Sequence, residues 1–445
     1  MKLLEFFSKE EQHQGNFVTT LILILICFAL WGFTNDIASV MVGAFSRIFA
    51  LDMTQAYMIN VASFMGYLVL SIPIAIFIQR YTYKKGVILS LSIYAAGILL
   101  LLPAMGWGAF HGFLLAYFVM TCGSAALETC CHPLIYRMGD LKNSIFRLNL
   151  AQSFNALGAC IGMLVAISAI TKKLSKTPAE VRMEMPKAQF EILKYSDLNI
   201  IIQPYLYVAA VIILLIVLIG ITKFFVHQKE NQRDKPGDAF RRLLHIRNYR
   251  EGLIAEFFYI GAQICIFTYI LVYGKHLFMT EGMEALDAET LVSRYSMGAF
   301  IIFAGMRFLS TWLLAFISPG RLLSAMAIIG TLAITGSIIF TDRNGLYCLL
   351  VAHGALSMMF PTIYGMALRG VGDDIKYASA GLTMTVFAGA VIPPLQAAII
   401  KWGKDMLGLS AINMSFIIPL LCLTVVIYYG HTGYVRHNIT HDYES

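Results

Sequence analysis

Apolar stretches recur along the whole chain, separated by short polar or turn-rich breaks. Each stretch has about 20 residues, which is the length of a helix that crosses roughly 30 Å of hydrocarbon. The pattern predicts an all-α membrane protein with no soluble domain. The twelve predicted membrane helices, numbered here as spans 1 to 12, are residues 17–46, 55–78, 86–104, 109–136, 147–170, 200–225, 250–274, 291–316, 321–340, 345–368, 377–400 and 408–430.

The first span differs from a cleaved signal peptide. It is longer than a signal-peptide core, it follows Glu10 and Glu11, and it carries Asn35 and Asp36 where a cleavage site would have small residues. We therefore expect a retained membrane helix, with Leu23 facing lipid.

Basic residues are unevenly distributed between the two sides of the predicted spans. Of the 33 Lys and Arg residues, 20 lie in the termini and the even-to-odd connections, 12 lie in the opposite connections, and Arg307 lies within span 8. Because basic loops remain in the cytoplasm, both termini are predicted to be cytoplasmic. The net charge of +7 reflects this anchoring and gives no reason to expect a nucleic-acid partner.

Residues 223–250 interrupt the apolar pattern with eight Lys or Arg residues together with Pro236 and Gly237. We interpret this segment as a basic cytoplasmic linker between an N-terminal six-helix half, 1–222, and a C-terminal six-helix half, 251–445. The junction of spans 2 and 3 is echoed about one half-length later by the junction of spans 8 and 9. Two pseudo-symmetric halves of this kind are the major facilitator layout, in which the binding site lies at mid-membrane.

Sequence motifs of metal sites and hydrolases are missing. The eight cysteines all fall within predicted spans without a CxxC motif, and no histidine stands at zinc spacing from them. Neither HExxH nor GxSxG occurs. We expect no disulfide, no metal, no cofactor and no enzymatic activity.

Polar residues inside spans 1 and 4 predict a functional site. A charged side chain at mid-membrane costs about 3 kcal/mol, so it indicates a polar or water-filled neighbourhood. In span 1, Asn35 and Asp36 are followed by Ser39, which shares a face with Asp36. In span 4, Glu128 and His132 are four residues apart and also share a face.

Span 5 carries an amide stripe of Asn149, Gln152 and Asn155. Near the start of the span, Asn149 is expected to link helices, because such contacts are common between membrane helices. The deeper Gln152 and Asn155, with Glu128, offer the donors and acceptors that a polyhydroxylated ligand needs.

The second half contributes aromatic residues with a few hydrogen-bonding groups. Tyr259, Gln263 and Phe360 lie on spans 7 and 10, where they suit the apolar face of a sugar ring. Two charged residues, Glu256 and Arg307, are assigned to gating or packing. For Arg307 we expect either a carboxylate partner or a side chain that reaches toward the membrane surface.

Several strings resemble the fucose:proton symporter family, a sugar branch of the major facilitator superfamily. The likeness runs from span 1 to span 11, and the span 5 string is the most specific. That resemblance implies that Glu128, Gln152 and Asn155 bind sugar, that Glu128 responds to protonation, and that Gln263 contributes from the second half. The strings are Leu127-Glu128-Thr129, residues 146–155, residues 259–263, residues 307–312 and Pro361-Thr362-Ile363.

The chain departs from the family pattern at three places. The family's span 1 carboxylate aligns with Ser39, and Asp36 stands one turn earlier, where the family has Asn. His132 replaces an Asn, and Phe360 replaces the Tyr of the fucose transporters.

These observations predict a proton-coupled symporter of a neutral monosaccharide such as L-fucose or a related hexose, working by alternating access. Its partners would be the sugar, the proton and membrane lipid, and we expect a monomer in the bacterial inner membrane. Asp36 and Glu128 are the candidate proton-coupling residues. A sugar uniporter and a drug:proton antiporter of the same fold remain open alternatives, whereas a membrane enzyme and a sugar sensor fit the sequence less well.

Overall fold

The computed structural model describes residues 17–51, 53–175, 177, 179–223, 236–403 and 408–435. These residues contain twelve helices that are long and apolar enough to cross a membrane, as predicted. By helix bounds, spans 1 to 12 are Phe17–Ile48, Met53–Arg80, Tyr83–Leu99 with Leu101–Trp107, Phe110–Arg137, Ser144–Val165, Lys187–Ile221, Arg247–Thr280, Ala285–Leu313, Pro319–Ile339, Arg343–Leu356 with Met359–Ala367, Ile375–Met384 with Ala388–Trp402, and Ile417–Val435.

Shorter helical segments lie between or within the spans. A π-helix continues span 5 at Ala166–Thr171, and a short helix at Ala179–Met183 precedes span 6. An amphipathic helix at Pro236–His245 precedes span 7, with Ala239 and Leu243 buried on its apolar face. Further segments are Leu141–Asn143, Gly372–Asp374, Thr385–Phe387 and Ala411–Ser415.

The chain forms two compact units. The described residues of Met1–Asp140, Phe154–Arg233 and Ser379–Met384 form the first unit, and those of Leu141–Ser153, Asp234–Ala378 and Thr385–Ser445 form the second. Most of spans 1 to 6 therefore lies in the first unit and most of spans 7 to 12 in the second. The exceptions are the start of span 5, which belongs to the second unit, and the first helix of span 11, which belongs largely to the first.

In the first unit, small residues allow spans 1 and 5 to approach closely. A Cβ at Gly32 would clash with the carbonyl oxygen of Asn155, and a Cβ at Gly158 would clash with that of Ala29. Contacts between small residues replace hydrophobic burial as the packing force between membrane helices. The approach brings Asn155 against the backbone of span 1, which positions it for the site described below.

Span 6 begins earlier than the hydropathy pattern predicted. The sequence indicated a start near residue 200, but the helix begins at Lys187. The first three turns carry charged residues at helical spacing, and Lys194 forms an ion pair with Glu191. Such pairs support a helix outside the apolar window, so hydropathy alone missed these turns.

The prediction for Leu23 was wrong. Leu23 is buried, whereas Ile22 and Ile26 are exposed on the other face of span 1. All three residues are equally apolar, so the sequence could not distinguish the lipid-facing side of the helix from the packed side.

Candidate functional site

Two clusters of buried polar side chains lie within the membrane spans, one in each unit. The first surrounds Glu128 on span 4, and the second surrounds Arg307 on span 8.

Glu128 and His132 lie on adjacent turns of span 4, as their spacing predicted. The Nδ1 atom of His132 is 3.7 Å from the Oε1 atom of Glu128, and both side chains are fully buried. Pro133 follows directly, and because it has no N–H group it leaves the carbonyl of Thr129 without its helical donor. The hydroxyl of Ser379 donates to that carbonyl instead, at 3.1 Å.

Aromatic side chains of span 1 enclose His132. The ring centroid of Phe28 is 5.2 Å from that of His132, and the centroid of Trp31 is 6.1 Å away. Both rings meet the imidazole nearly edge-on, which is a favourable aromatic geometry. The cluster therefore has a rigid apolar wall beside its ionisable groups.

Asn155 joins the same cluster from span 5. Its Nδ2 atom donates to the carbonyl oxygen of Phe28 at 3.2 Å, and its side chain is half-buried. This hydrogen bond uses one of the two amide hydrogens. The amide oxygen is the acceptor that Asn155 can offer to a ligand.

Tyr67 of span 2 completes the cluster. The indole Nε1 of Trp31 donates to its hydroxyl at 3.2 Å, and the same indole packs against His132. Among the described residues, no donor reaches either oxygen of Glu128 with the geometry of a hydrogen bond. A buried carboxylate in these surroundings favours binding a proton or a ligand that donates hydrogen bonds.

Three further residues of span 1 were predicted to take part in the site: Asn35, Asp36 and Ser39. Asn35 is exposed. The side chains of Asp36 and Ser39 lie outside the described residues, so their predicted roles remain predictions.

Arg307 is the centre of the second cluster. Its Nε atom donates to the carbonyl of Ser357 at 2.5 Å, and its Nη1 atom donates to the side-chain oxygen of Gln152 at 3.2 Å. The guanidinium carbon lies 4.6 Å from the ring centroid of Phe303. In the part of the chain that the structure describes, Arg307 is therefore held by amide oxygens and an aromatic face. Its side chain is buried, and none of the described carboxylates pairs with it.

A proline creates the acceptor that Arg307 uses. Pro361 has no N–H group, so the carbonyl of Ser357, four residues earlier, loses its helical donor. Span 10 is interrupted there, between Leu356 and Met359. Arg307 donates to the Ser357 carbonyl in place of the missing N–H. In the first unit, Ser379 donates in the same way to the Thr129 carbonyl that Pro133 leaves open.

The start of span 5 is attached to this cluster by two further hydrogen bonds. Asn149 donates to the hydroxyl of Thr362 at 3.1 Å, and Ser153 lies 3.2 Å from the hydroxyl of Thr311. The expectation that Asn149 links helices is confirmed. The same contacts hold Gln152 in register against span 8.

The remaining predicted residues of the second unit are distributed along spans 7 and 10. Tyr259 is buried and donates to the carbonyl of Leu356 at 3.0 Å. Phe360 is buried beside Tyr364, whereas Gln263 is half-buried. Glu256 is fully buried.

Sequence reasoning missed Phe28, Trp31 and Tyr67 as parts of the first cluster. Each is an aromatic residue in an apolar helix, where most aromatic side chains are core residues. Phe28 and Trp31 gain a role only from their packing against His132 of span 4, and Tyr67 only from its hydrogen bond with Trp31. In the sequence, the only available indication was that Tyr and Trp each carry a polar group that needs a partner when buried.

Within the described residues, no group of three His, Cys, Asp or Glu side chains is arranged to hold a metal ion. Both clusters instead consist of hydrogen-bonding and aromatic groups inside apolar helices. Buried polar clusters within membrane-spanning helices, in a chain with twelve such helices, are typical of a membrane transporter.

Comparison with known proteins specifies the family. The profile of the Major Facilitator Superfamily matches residues 22–394, and the chain belongs to that superfamily. It is 37% identical over 423 residues to the L-fucose-proton symporter of Haemophilus influenzae, covering 94% of this chain and 97% of the relative. The resemblance seen in the sequence is confirmed.

Two further comparisons give the same picture. A crystal structure of the E. coli fucose:proton symporter FucP has a TM-score of 0.83 and 28% sequence identity, covering 94% of this chain and 99% of that chain. The glucose/galactose transporter of Brucella abortus is 25% identical over 427 residues, covering 95% of this chain and 96% of the relative. This chain is thus similar to sugar transporters over nearly its whole length.

Proposed function

We propose that this protein is a proton-coupled symporter that carries a neutral monosaccharide, such as L-fucose or a related hexose, by alternating access. Its relatives support this, since they are named L-fucose-proton symporter in Haemophilus influenzae and E. coli. The observation that carries the proposal is the buried carboxylate of Glu128 within span 4, beside His132. Such a group is costly in a membrane unless it binds a proton or a ligand.

In the first unit, the residues that we propose bind the sugar are Asn35, Ser39, Glu128, His132 and Asn155. Glu128 and Asn155 offer acceptors for sugar hydroxyls, and the rings of Phe28 and Trp31 can pack against a sugar's apolar face. A buried polar group that loses its partner discriminates strongly against a sugar lacking the matching hydroxyl.

In the second unit, the residues that we propose bind the sugar are Gln152, Tyr259, Gln263 and Phe360. Gln263 is the half-buried member of this set, so it is the one that is most accessible to a ligand. Phe360 stands where the fucose symporters have a tyrosine, so one hydroxyl contact to the sugar is expected to differ from theirs.

Proton coupling is assigned to Asp36 and Glu128. A carboxylic acid that loads a proton with the sugar allows the neutral, occupied carrier to reorient at lower cost than a carrier with a bare buried charge. Arg307 and Glu256 are assigned to gating or packing, and the contacts of Arg307 with Gln152 and Ser357 support this role.

The remaining properties follow from the class of protein. We propose two six-helix halves, 1–222 and 251–445, joined by the basic segment 223–250, with both termini in the cytoplasm of a bacterium. The protein would work as a monomer in the lipid of the inner membrane, without cofactor, nucleic-acid partner or enzymatic activity.

The test is sugar counterflow in proteoliposomes with labelled fucose, galactose, glucose, mannose and rhamnose, together with sugar-dependent proton uptake from a weakly buffered medium. We expect exchange of one or a few of these sugars and one-way uptake accompanied by alkalinisation outside. Exchange without proton uptake would contradict the coupling. Exchange of none of the five sugars would contradict the proposed substrate class.

A further inference from the structure

We propose that His353 and the side chain of Ser357, both on span 10, form a further binding position for one hydroxyl group of the sugar. The sugar hydroxyl donates to the Nε2 atom of His353 and accepts from the hydroxyl of Ser357. The inference rests on the proposed sugar transport, but it does not depend on proton coupling. Neither side chain belongs to the set proposed above.

One hydrogen bond determines which atom His353 can offer to a ligand. Its Nδ1 atom lies 2.7 Å from the carbonyl oxygen of Leu349, and because a carbonyl can only accept, Nδ1 carries the hydrogen. The other ring nitrogen, Nε2, is then an acceptor in the neutral imidazole. A second hydrogen on Nε2 would make the ring a cation inside an apolar helix, where an unpaired charge is costly.

The ring of His353 is also held in a fixed plane. Phe267 of span 7 stacks on it, with the ring centroids 4.6 Å apart and the planes inclined by 10°. Phe267 in turn contacts Phe300 and Phe303 of span 8, at centroid distances of 5.0 and 5.1 Å. The direction of the Nε2 lone pair is therefore set before a ligand arrives, which lowers the entropic cost of binding.

The Nε2 atom of His353 and the hydroxyl oxygen of Ser357 are both buried polar atoms that lack a partner. The two side chains are fully buried, and neither atom forms a hydrogen bond with any residue that the structure describes. An unpaired polar atom is destabilising in a protein interior, so each such atom needs an explanation. Two of them on one helix indicate a polar group that comes from outside the protein.

The spacing of His353 and Ser357 suits a single hydroxyl group. They are four residues apart, and Ser357 keeps helical backbone angles, with φ −55° and ψ −39°, at the end of the helix. Side chains at this spacing share a face, with Cβ atoms about 5 to 6 Å apart. One oxygen that makes two hydrogen bonds of about 2.8 Å can bridge such a separation. Because Nε2 can only accept, the bridging group must be a donor.

This hydroxyl-binding position adjoins a residue already proposed to bind sugar in the second unit. Tyr259 of span 7 donates to span 10 at the carbonyl of Leu356. Two turns later, Phe267 of span 7 stacks on His353. Gln263 lies midway between these two contacts, on the same face of the helix. Gln263 and Phe267 are half-buried, so a sugar that binds Gln263 would lie close to His353.

The consequence is selectivity for a hydroxyl at one position of the sugar ring. A hydroxyl can donate to Nε2, whereas a fluorine atom in its place can only accept and a hydrogen atom forms no hydrogen bond. A site whose buried polar group loses its partner rejects such analogues strongly. A water molecule held between His353 and Ser357 would satisfy the same two atoms, but it would give no selectivity among sugars.

The experiment measures equilibrium binding to the purified protein. The probes are the best sugar of the counterflow panel and its deoxy and deoxyfluoro analogues at each ring position. For the wild type we expect one position at which both analogues bind at least about tenfold more weakly than the parent sugar, because Nε2 is left without a donor.

Two variants test the two partners of that hydroxyl. His353→Phe removes Nε2 and keeps an aromatic ring against Phe267. It should bind the parent sugar about tenfold more weakly and no better than the deoxyfluoro analogue of that one position. Ser357→Ala keeps the carbonyl that Arg307 uses and should reduce the same selectivity by a smaller factor, since Nε2 remains. Ser337→Ala is the matched control, because the buried hydroxyl of Ser337 in this unit donates to the carbonyl of Ile334 at 2.8 Å.

The outcomes separate this inference from the proposed function. Wild-type selectivity at every ring position in both His353→Phe and Ser357→Ala would overturn the inference. Lower thermal stability of His353→Phe with unchanged selectivity would also overturn it, because that result indicates packing or a structural water. If His353→Phe does not fold, Ser357→Ala decides, and unchanged selectivity then counts against the inference. A wild type that binds none of the five sugars contradicts the proposed function as well.

Discussion

The guanidinium of Arg307 donates to both oxygens of Gln152, to the side-chain oxygen at 3.2 Å and to the backbone carbonyl at 3.3 Å. A residue expected to gate or pack thereby holds a residue expected to bind sugar. Arg307 also donates to the carbonyl of Ser357. When a sugar hydroxyl binds Gln152, the side-chain oxygen of Gln152 must therefore either give up its hydrogen bond with Arg307 or accept from both groups.

Replacing Arg307 should impair transport and lower stability together. Arg307→Gln leaves the buried acceptors of Ser357 and Gln152 with a shorter, uncharged donor. We expect at least a roughly tenfold loss of counterflow, since hydrogen bonds to charged groups contribute about 1.5 to 3 kcal/mol. Counterflow rate and thermal unfolding of the purified protein measure the two effects. Arg294→Gln, an exposed position on the same span, should change neither, and wild-type counterflow by Arg307→Gln would show that the contact is dispensable.

Pro361 is predicted to act through the carbonyl that it leaves open. Pro361→Ala restores a backbone N–H four residues after Ser357, which can then compete with Arg307 for that carbonyl. We expect higher thermal stability but slower counterflow, because Arg307 loses its shortest hydrogen bond. Pro319→Ala is the control, since a proline at the first turn of a helix blocks no helical hydrogen bond. Faster counterflow in Pro361→Ala would contradict this view of the interrupted helix.

The amide and carboxylate side chains that are proposed to bind the sugar should each contribute to its affinity. Asn155→Ala, Gln152→Ala and Glu128→Gln are expected to weaken sugar binding by about 1 to 3 kcal/mol, the cost of leaving a buried partner unsatisfied. Equilibrium binding of the wild-type sugar is the measurement. Gln203→Ala, at an exposed position of span 6, is the control. Unchanged affinity in both Asn155→Ala and Glu128→Gln would exclude the proposed binding site.

Asp36 is the displaced acid of span 1. One helical turn moves a side chain about 5 Å along the axis and keeps it on nearly the same face. Asp36→Asn should therefore abolish proton-driven accumulation but allow sugar exchange, which needs no return of an empty carrier. Adding Ser39→Asp to Asp36→Asn should restore some accumulation. Sugar levels with and without an uncoupler test both variants, and full accumulation by Asp36→Asn would assign coupling to Glu128 alone.

The connection between spans 7 and 8 carries a pH-dependent contact. Arg343 donates to Glu281 at 2.8 Å and holds the pKa of that carboxyl below its ordinary value of 4.5. Because the pKa is lower in the folded state, the stabilisation is present above pH 4.5 and is lost as the pH falls through the folded-state pKa. Glu281→Gln should lower the thermal midpoint at neutral pH and match wild type in strong acid. A difference from wild type that grows on acidification would contradict this, and Glu284→Gln is the exposed control.

Much of the fold could be predicted because the membrane imposes a simple rule. Nearly all backbone groups in hydrocarbon are paired within their own helix, so length and hydropathy identify the spans. The polar first turns of span 6 could not be found this way, since the support from Glu191 and Lys194 is local and electrostatic. The packed side of span 1 could not be found either, because it depends on which other helices lie against it, and no periodicity within one span reveals that.

The site was predictable only where its residues lie on one helix. The four-residue spacing of Glu128 and His132 was sufficient to place them together. Contacts between spans, such as Trp31 with Tyr67 or Arg307 with Ser357, depend on helix register, which no periodicity within one span reveals. Even so, a proline four residues after each of Thr129 and Ser357 marks, in the sequence, a carbonyl that needs a donor from elsewhere.

Arg307 also imposes an order on how the protein is made. An arginine at the centre of a helix costs about 2.5 to 3.5 kcal/mol during insertion from the translocon, and span 8 is among the least apolar of the twelve spans that the structure describes. Gln152 has already been synthesised when span 8 emerges, but Ser357 follows 50 residues later. We therefore expect span 8 to remain close to span 5 or within the translocon until span 10 enters the bilayer and supplies the carbonyl of Ser357.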